Sequence, residues 1–234
     1  HNTEFTVSPL DMIRLRKASL KIPLETLLHE MAQDGRLPVG AFSKAAVQKI
    51  RDEIETYHEM LSKLQVRPEE IYSIELKASC KQPTEIDAHT WIYPALHIND
   101  VLIQGRIDEM SPQGVLFHGE DTLADQLKAW PLLLIVTRLG LPNHLLLTKK
   151  GKISEIKPSP DSLEKYIRYA EKALTMPSPL HPKWARGLFK EGKIPSTEED
   201  EIIEWAQKRN LLPPIDLWLK AWSPYLQEVV NELL

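Results

Sequence analysis

At 234 residues, 42% hydrophobic and 26% charged, the chain is long enough to bury a proper core as one large domain or two small ones. A net charge of −4 excludes a whole-domain attraction to nucleic acid, so any DNA contact must come from a local basic patch. No apolar run approaches the ~20 residues of a membrane span; the longest, Trp130 to Val136, contains Pro131 and is soon followed by Arg138.

A single cysteine, Cys80, excludes an internal disulfide and any multi-cysteine zinc site, and it agrees with a cytoplasmic setting. The amino end carries no initiating Met and no charged head before an apolar stretch. The expectation is a fragment or tag remnant without a secretory signal. With 18 prolines against 9 glycines, the breaks are stiff punctuation rather than flexible linkers.

The first third reads as helical. Ser8-Pro9 is a cap followed by proline at the first helical position, and Leu10, Ile13 and Lys17 continue at helical spacing. A second helix from Pro23 carries Leu24, Leu27, Leu28 and Met31 on one face, and Gly35-Arg36-Leu37-Pro38 stops it. Ser43 is expected to cap a long helix to Leu64, with the stripe Val47, Ile50, Ile54, Tyr57, Leu61 and Leu64.

The period then changes to two. Tyr72, Ile74, Leu76 and Ala78 alternate with polar residues, as in a half-buried strand, and Lys81 to Asp87 is a polar stretch. Tyr93–Ile98 and Val101–Met110 read as strands joined by the tight-turn pair Asn99-Asp100. A third strand, Val115–His118, follows Pro112-Gln113-Gly114. Thr122 caps a helix to Gly140, and Leu145–Thr148 pairs with Ile153–Ile156. Beyond them, helices are expected from Asp161 to Leu174, Glu198 to Asn210 and Leu217 to Leu234, with a proline-rich connection around Trp184. There is no internal repeat. The reading is one α/β domain: a helical lead-in over 1–65, a small mixed sheet with its helix over 70–158, and a helical tail over 159–234.

Glycine-rich phosphate loops, Gly-x-Ser-x-Gly elbows and paired helical histidines are all missing from the sequence. What remains is the outline of a PD-(D/E)xK nuclease core: three strands, the second ending in Asp108, the third followed by Glu120, and then a helix. Such an enzyme holds a hard divalent cation with strand carboxylates, and a lysine two residues after the second acid helps polarise the attacking water. Here the third strand has no acid, Glu120 comes late, and Thr122 stands where the lysine belongs. A live nuclease would have to use Asp108, Glu120 and Lys128. The reading preferred is a non-catalytic core with no metal and no cofactor. Asp108 and Arg106 then read as a same-face ion pair, Glu120-Asp121 as helix-dipole complements, and His118 as a satisfied surface histidine. Trp130, Trp184, Trp205, Trp218 and Trp222 read as core anchors. The local basic patches are Lys149, Lys150 and Lys152, with Arg186, Lys190 and Lys193 as a second. Either could contact phosphates without reading sequence.

Several stretches resemble the carboxy-terminal domain of RecC, the gamma chain of exodeoxyribonuclease V. Gly35-Arg36-Leu37-Pro38-Val39-Gly40-Ala41-Phe42 is similar to that family's leucine-proline-x-gly-ala-phe turn before a long helix, and Phe5-Thr6-Val7 to the segment ahead of it. Asn99 to Asp108 resembles its hairpin, Asp125 to Trp130 the helix after the third strand, and Pro179 to Ala185 a late proline-rich turn. The matches span most of residues 5 to 188 in order. Two departures stand out: Ser43-Lys44 replaces a gly-glu pair, and the tail after Glu191 lacks an asp-pro-tyr-tyr segment. The resemblance implies a scaffold subunit that joins a RecB-like nuclease–helicase to a RecD-like motor and channels DNA at broken ends.

Overall fold

The structure is a computed structural model that describes residues 7–38, 40–176, 178, 208–209, 217 and 220–225. The lead-in is three helices. In α1 (Pro9–Ser19) the Ser8 hydroxyl accepts the Asp11 N–H at 3.1 Å, an N-cap that satisfies one of the orphan donors of the first turn. Its buried face is not the expected one. Leu10 and Ile13 are exposed, 56% and 42%, whereas Met12, Leu15 and Arg16 turn inward. The helix rotates this way because Met12 and Leu15 can join Leu27, Leu28 and Met31 of α2 (Leu24–Gln33) and Ile50 and Ile54 of the long helix that follows in one cluster.

Helix α3 (Ala41–Lys63) begins two residues before Ser43, with Gly40 as its cap, and keeps the expected stripe. Its first half closes the lead-in cluster. Its second half, through Tyr57, Leu61 and Leu64, packs with Val66, Ile71, Leu116 and Leu146 against the sheet. One long helix therefore carries the lead-in onto the α/β core.

The strands are β1 (Tyr72–Lys77), β2 (Thr84–Asp87), β3 (Thr90–Pro94), β4 (Leu96–Ile98), β5 (Val101–Ile103), β6 (Gly105–Ser111), β7 (Gly114–Phe117), β8 (His144–Leu147) and β9 (Lys152–Ser154). Seven form a mixed sheet in the order β2-β3-β1-β6-β7-β8-β9, and β4 and β5 form a separate ribbon. The β6 partners are antiparallel β1 and β7, and β7 runs parallel to β8 after a crossover through α4 (Leu123–Arg138).

Two expectations are corrected here. The strands read as Tyr93–Ile98 and Val101–Met110 are each broken in two, so the hairpin around Asn99 leaves the main sheet and β6 pairs with β1 instead. Pro94 offers no N–H to continue one strand, and Gly105, at φ 147°, redirects the other. The turn itself is as read, with Asn99 at φ 52°. The polar stretch at 81–87 contains strand β2, an edge strand exposed along its whole length, so no alternation announces it.

Strands β7 and β8 are covered on both faces. Val115, Leu145 and Leu147 face Ala129, Trp130, Leu133 and Leu134 of α4 and Leu163 and Ile167 of α5 (Ser162–Thr175), while Leu116 and Leu146 face α3. Such strands read as continuous apolar runs, as Leu145-Leu146-Leu147 does. In α5, Leu174 is 88% exposed rather than part of the buried face. The 220–225 segment is helical and buries Trp222 against Tyr169, ring centroids 5.2 Å apart. Trp130 and Trp222 are thus core anchors as expected; Trp184, Trp205 and Trp218 lie outside the described residues.

Candidate functional site

Asp108 is the fourth residue of β6, in mid-strand rather than at a strand end. Alternation along β6 buries Ile107 and leaves the Arg106 and Asp108 side chains on the open side. Arg106 Nε donates to Asp108 Oδ1 at 2.6 Å, and its Nη2 reaches Ser73 Oγ of β1 at 3.2 Å. The other carboxylate oxygen is taken from outside the sheet: Lys17 Nζ of α1 donates to Oδ2 at 2.9 Å. The Lys17 ammonium, and then Arg106, hold the Asp108 carboxyl below its ordinary range. Next to it, half-buried Glu109 is pushed upward, because burial outweighs the attraction of Lys17 and Arg16.

The other two positions of a live nuclease find partners elsewhere. Glu120, in the loop after β7, lies 3.7 Å from Lys150, and Lys128 on α4 lies 3.7 Å from Asp125. A cavity of about 230 Å³ beside Asp108 is lined by Lys17, Arg106, Glu109 and His118 among others, but by neither Glu120 nor Lys128. Among the described residues no group of three or more His, Cys, Asp or Glu side chains converges to hold a cation.

The first basic cluster is also divided. Lys152 pairs with Asp121 at 2.6 Å, and Lys150 faces Glu120. Asp121 also accepts from Gln126 and Ser154, and with the Lys152 ammonium as the main cause its carboxyl is held low. Lys149 points instead into a larger cavity of about 690 Å³ between α1, α3 and the ends of β7 and β8. Arg186, Lys190 and Lys193 lie outside the described residues.

His118 is a correction to the sequence reading. It is half-buried, not on the surface, with Nδ1 3.1 Å from Thr148 Oγ1 and its ring edge-on to Tyr57. Burial, aided by the positive charge of Arg16 and Lys149, lowers it to about 4, so the ring is neutral at physiological pH. Arg16 was missed altogether. It shares a face with Met12, four residues earlier, but which face of α1 turns inward is set by α2 and α3, so no local signal marked it.

Two strand carboxylates converging on a cation would have pointed away from the sequence resemblance; Asp108 closed by two basic side chains does not. Comparison with protein-family models matches residues 2–193 to the RecC C-terminal domain. The chain belongs to the RecC C-terminal domain family. No curated protein and no solved structure matches it. The RecC match takes in the whole lead-in, the sheet and α5, so Lys17 and Asp108 both fall inside it. Among the described residues of this RecC C-terminal domain, no helix is long and apolar enough to cross a membrane.

Proposed function

We propose that this chain is a non-catalytic scaffold and DNA-channelling domain of the RecC subunit in a RecBCD-type helicase–nuclease, acting in the cytoplasm on broken DNA ends. Its core is a PD-(D/E)xK nuclease fold that has lost its chemistry. Support comes from the succession β1, β6, β7 antiparallel, then α4, then β8 parallel to β7. The observation that carries the reading is the Asp108 carboxylate, bonded on one oxygen by Lys17 and on the other by Arg106. A carboxylate so neutralised has little charge left for a divalent cation, and an ammonium standing beside it repels one. Partners of the assembled enzyme are RecB-like and RecD-like subunits. DNA contacts would be phosphate contacts from local basic side chains, with Lys149, Lys150 and Lys152 as candidates.

The test is incubation of the chain with linear duplex DNA and Mg²⁺ or Mn²⁺. No cleavage above a metal-free control is expected. Metal-dependent cleavage that disappears in Asp108→Ala would overturn the reading.

A further inference from the structure

Three cavities follow one another along the seam between α1 and the sheet. The first, about 690 Å³, and the second, about 230 Å³, share His118. The second and the third, about 390 Å³, share Lys17, Arg106, Asp108 and Glu109. The middle cavity lies at a fork, because β6 and β7 pair only at Met110–Val115 and Ser111–Gly114 and then part. Basic side chains line the whole succession. Arg16, Lys49 and Lys149 face the first cavity, Lys17 and Arg106 the second, and Arg14 and Lys21 join them in the third. Among the described residues three carboxylates, Glu53, Asp108 and Glu109, oppose these seven cations, on a chain of net charge −4. Arg16 is paired with Glu53 at 3.8 Å, and Lys17 and Arg106 share Asp108. Lys21, Lys49 and Lys149 are exposed and form no ion pair among the described residues, so their charge is open to an incoming anion.

One end of the seam is apolar as well as basic. Phe42, 61% exposed, shares a face of α3 with Ala45, Ala46 and Lys49, and Met12 and Ile13 of α1 stand across from them. An aromatic ring beside a line of cations is how single-stranded nucleic acid is held: bases stack on the ring while phosphates follow the basic groove. A duplex keeps its bases stacked inside and would leave this apolar end unused. An acidic peptide would be served by one cluster of cations. Here they are strung through three adjoining cavities, as a backbone with a charge on every residue requires.

We propose that this seam carries a single DNA strand, with a base on Phe42 and successive phosphates along Lys49, Lys149, Lys17, Arg106 and Lys21. The proposal rests on the DNA-channelling reading above and gives the strand its path. The experiment uses the full subunit purified with its partner subunits, and an oligo-dT strand carrying 5-iodo-deoxyuridine. On irradiation that base couples to a side chain stacked against it. The expected product is a crosslink that peptide mapping places at Phe42. In a parallel acetylation footprint the strand should shield Lys21, Lys49 and Lys149 on the order of fivefold, and leave exposed Lys157 as reactive as before. Crosslink yield should drop on the order of tenfold or more in the double variant Lys49→Glu/Lys149→Glu, whose melting curve serves as the folding control. No crosslink at Phe42, shielding of fewer than all three lysines, or a yield unchanged in the double variant would overturn the proposal. So would lysines already unreactive before the strand is added, the mark of a protein partner seated on the seam. The metal-dependent cleavage assay and co-purification of the partner subunits test the non-catalytic scaffold reading separately, and neither depends on the seam.

Discussion

Lys17 and Asp108 stand 91 residues apart in the chain and 2.9 Å apart in space, and their contact ties the first helix to the middle of the sheet. It also decides the charge state of the strand where a nuclease would keep a bare carboxylate. Arg106 alone, two residues away on the same strand face, would leave one carboxylate oxygen open.

Replacing Lys17 by Met should therefore raise the Asp108 pKa toward the ordinary carboxylate range, read by an NMR titration of the Asp108 side chain. The sign follows from the depression: the pair stabilises the fold above the unfolded-state pKa and loses its contribution as pH falls through the lower folded value. In Lys17→Met that loss sets in at higher pH. Both side chains are well exposed, so the stability lost at neutral pH should be ~1 kcal/mol or less. An Asp108 titration that does not move would show that the contact is not made in solution.

His118 should make the protein acid-sensitive. Its folded pKa of about 4 lies below the ordinary value, so the unfolded chain binds the proton more readily and stability falls as pH drops through that interval. For a half-exposed ring, solvent screening reduces the effect to ~1–2 kcal/mol. Urea denaturation at neutral and mildly acidic pH should show the difference, and His118→Gln should remove most of it. A wild-type midpoint that holds steady across the interval contradicts this.

Gly114 opens β7 at φ 151°, and a Cβ there would lie 2.1 Å from the carbonyl oxygen of His144 on β8. The obstacle is the His144 backbone, which cannot swing away as a side chain would. Gly114→Ala should cost at least ~2 kcal/mol in urea unfolding, through strained φ and forced separation of the parallel pair. Wild-type stability in this variant would mean that β7 and β8 are not so closely joined.

Trp222, fully buried, links the end of the chain to α5 through Tyr169. Trp222→Ala should cost ~3–5 kcal/mol, as expected for a large aromatic removed from a core that cannot collapse around the gap. The readout is the urea midpoint, compared with Trp222→Phe, which should recover part of the loss. A cost below ~1 kcal/mol would show that the 220–225 helix does not dock on α5.

Much of the architecture was legible because local chemistry and tertiary packing agree. Ser8-Pro9 and Thr122 cap their helices as their residue types require, and the α3 stripe is buried from Ile50 to Leu64, with Val47 partly so. The Asn99 turn follows from a residue that tolerates positive φ. Where reading failed, two local signals competed. In α1 the apolar residues lie on two faces, Leu10 and Ile13 on one, Met12 and Leu15 on the other, and only α2 and α3 choose between them. In β2 an exposed edge leaves no pattern to read. The strand breaks at Pro94 and Gly105 were visible as residues, but their consequence, the pairing of β6 with β1, is a long-range choice.

For the site, the residue types of Asp108, Glu120 and Lys128 and the missing acid and lysine of the third strand were readable from the order of amino acids alone. So were the family's turns, because both rest on identity and spacing. What neighbours Asp108, which lysines of the 149–152 cluster are paired, and that Arg16 lies buried under a cavity were decided only by folding. Charge pairing depends on distances between side chains far apart in sequence, and no local rule of propensity or period encodes them.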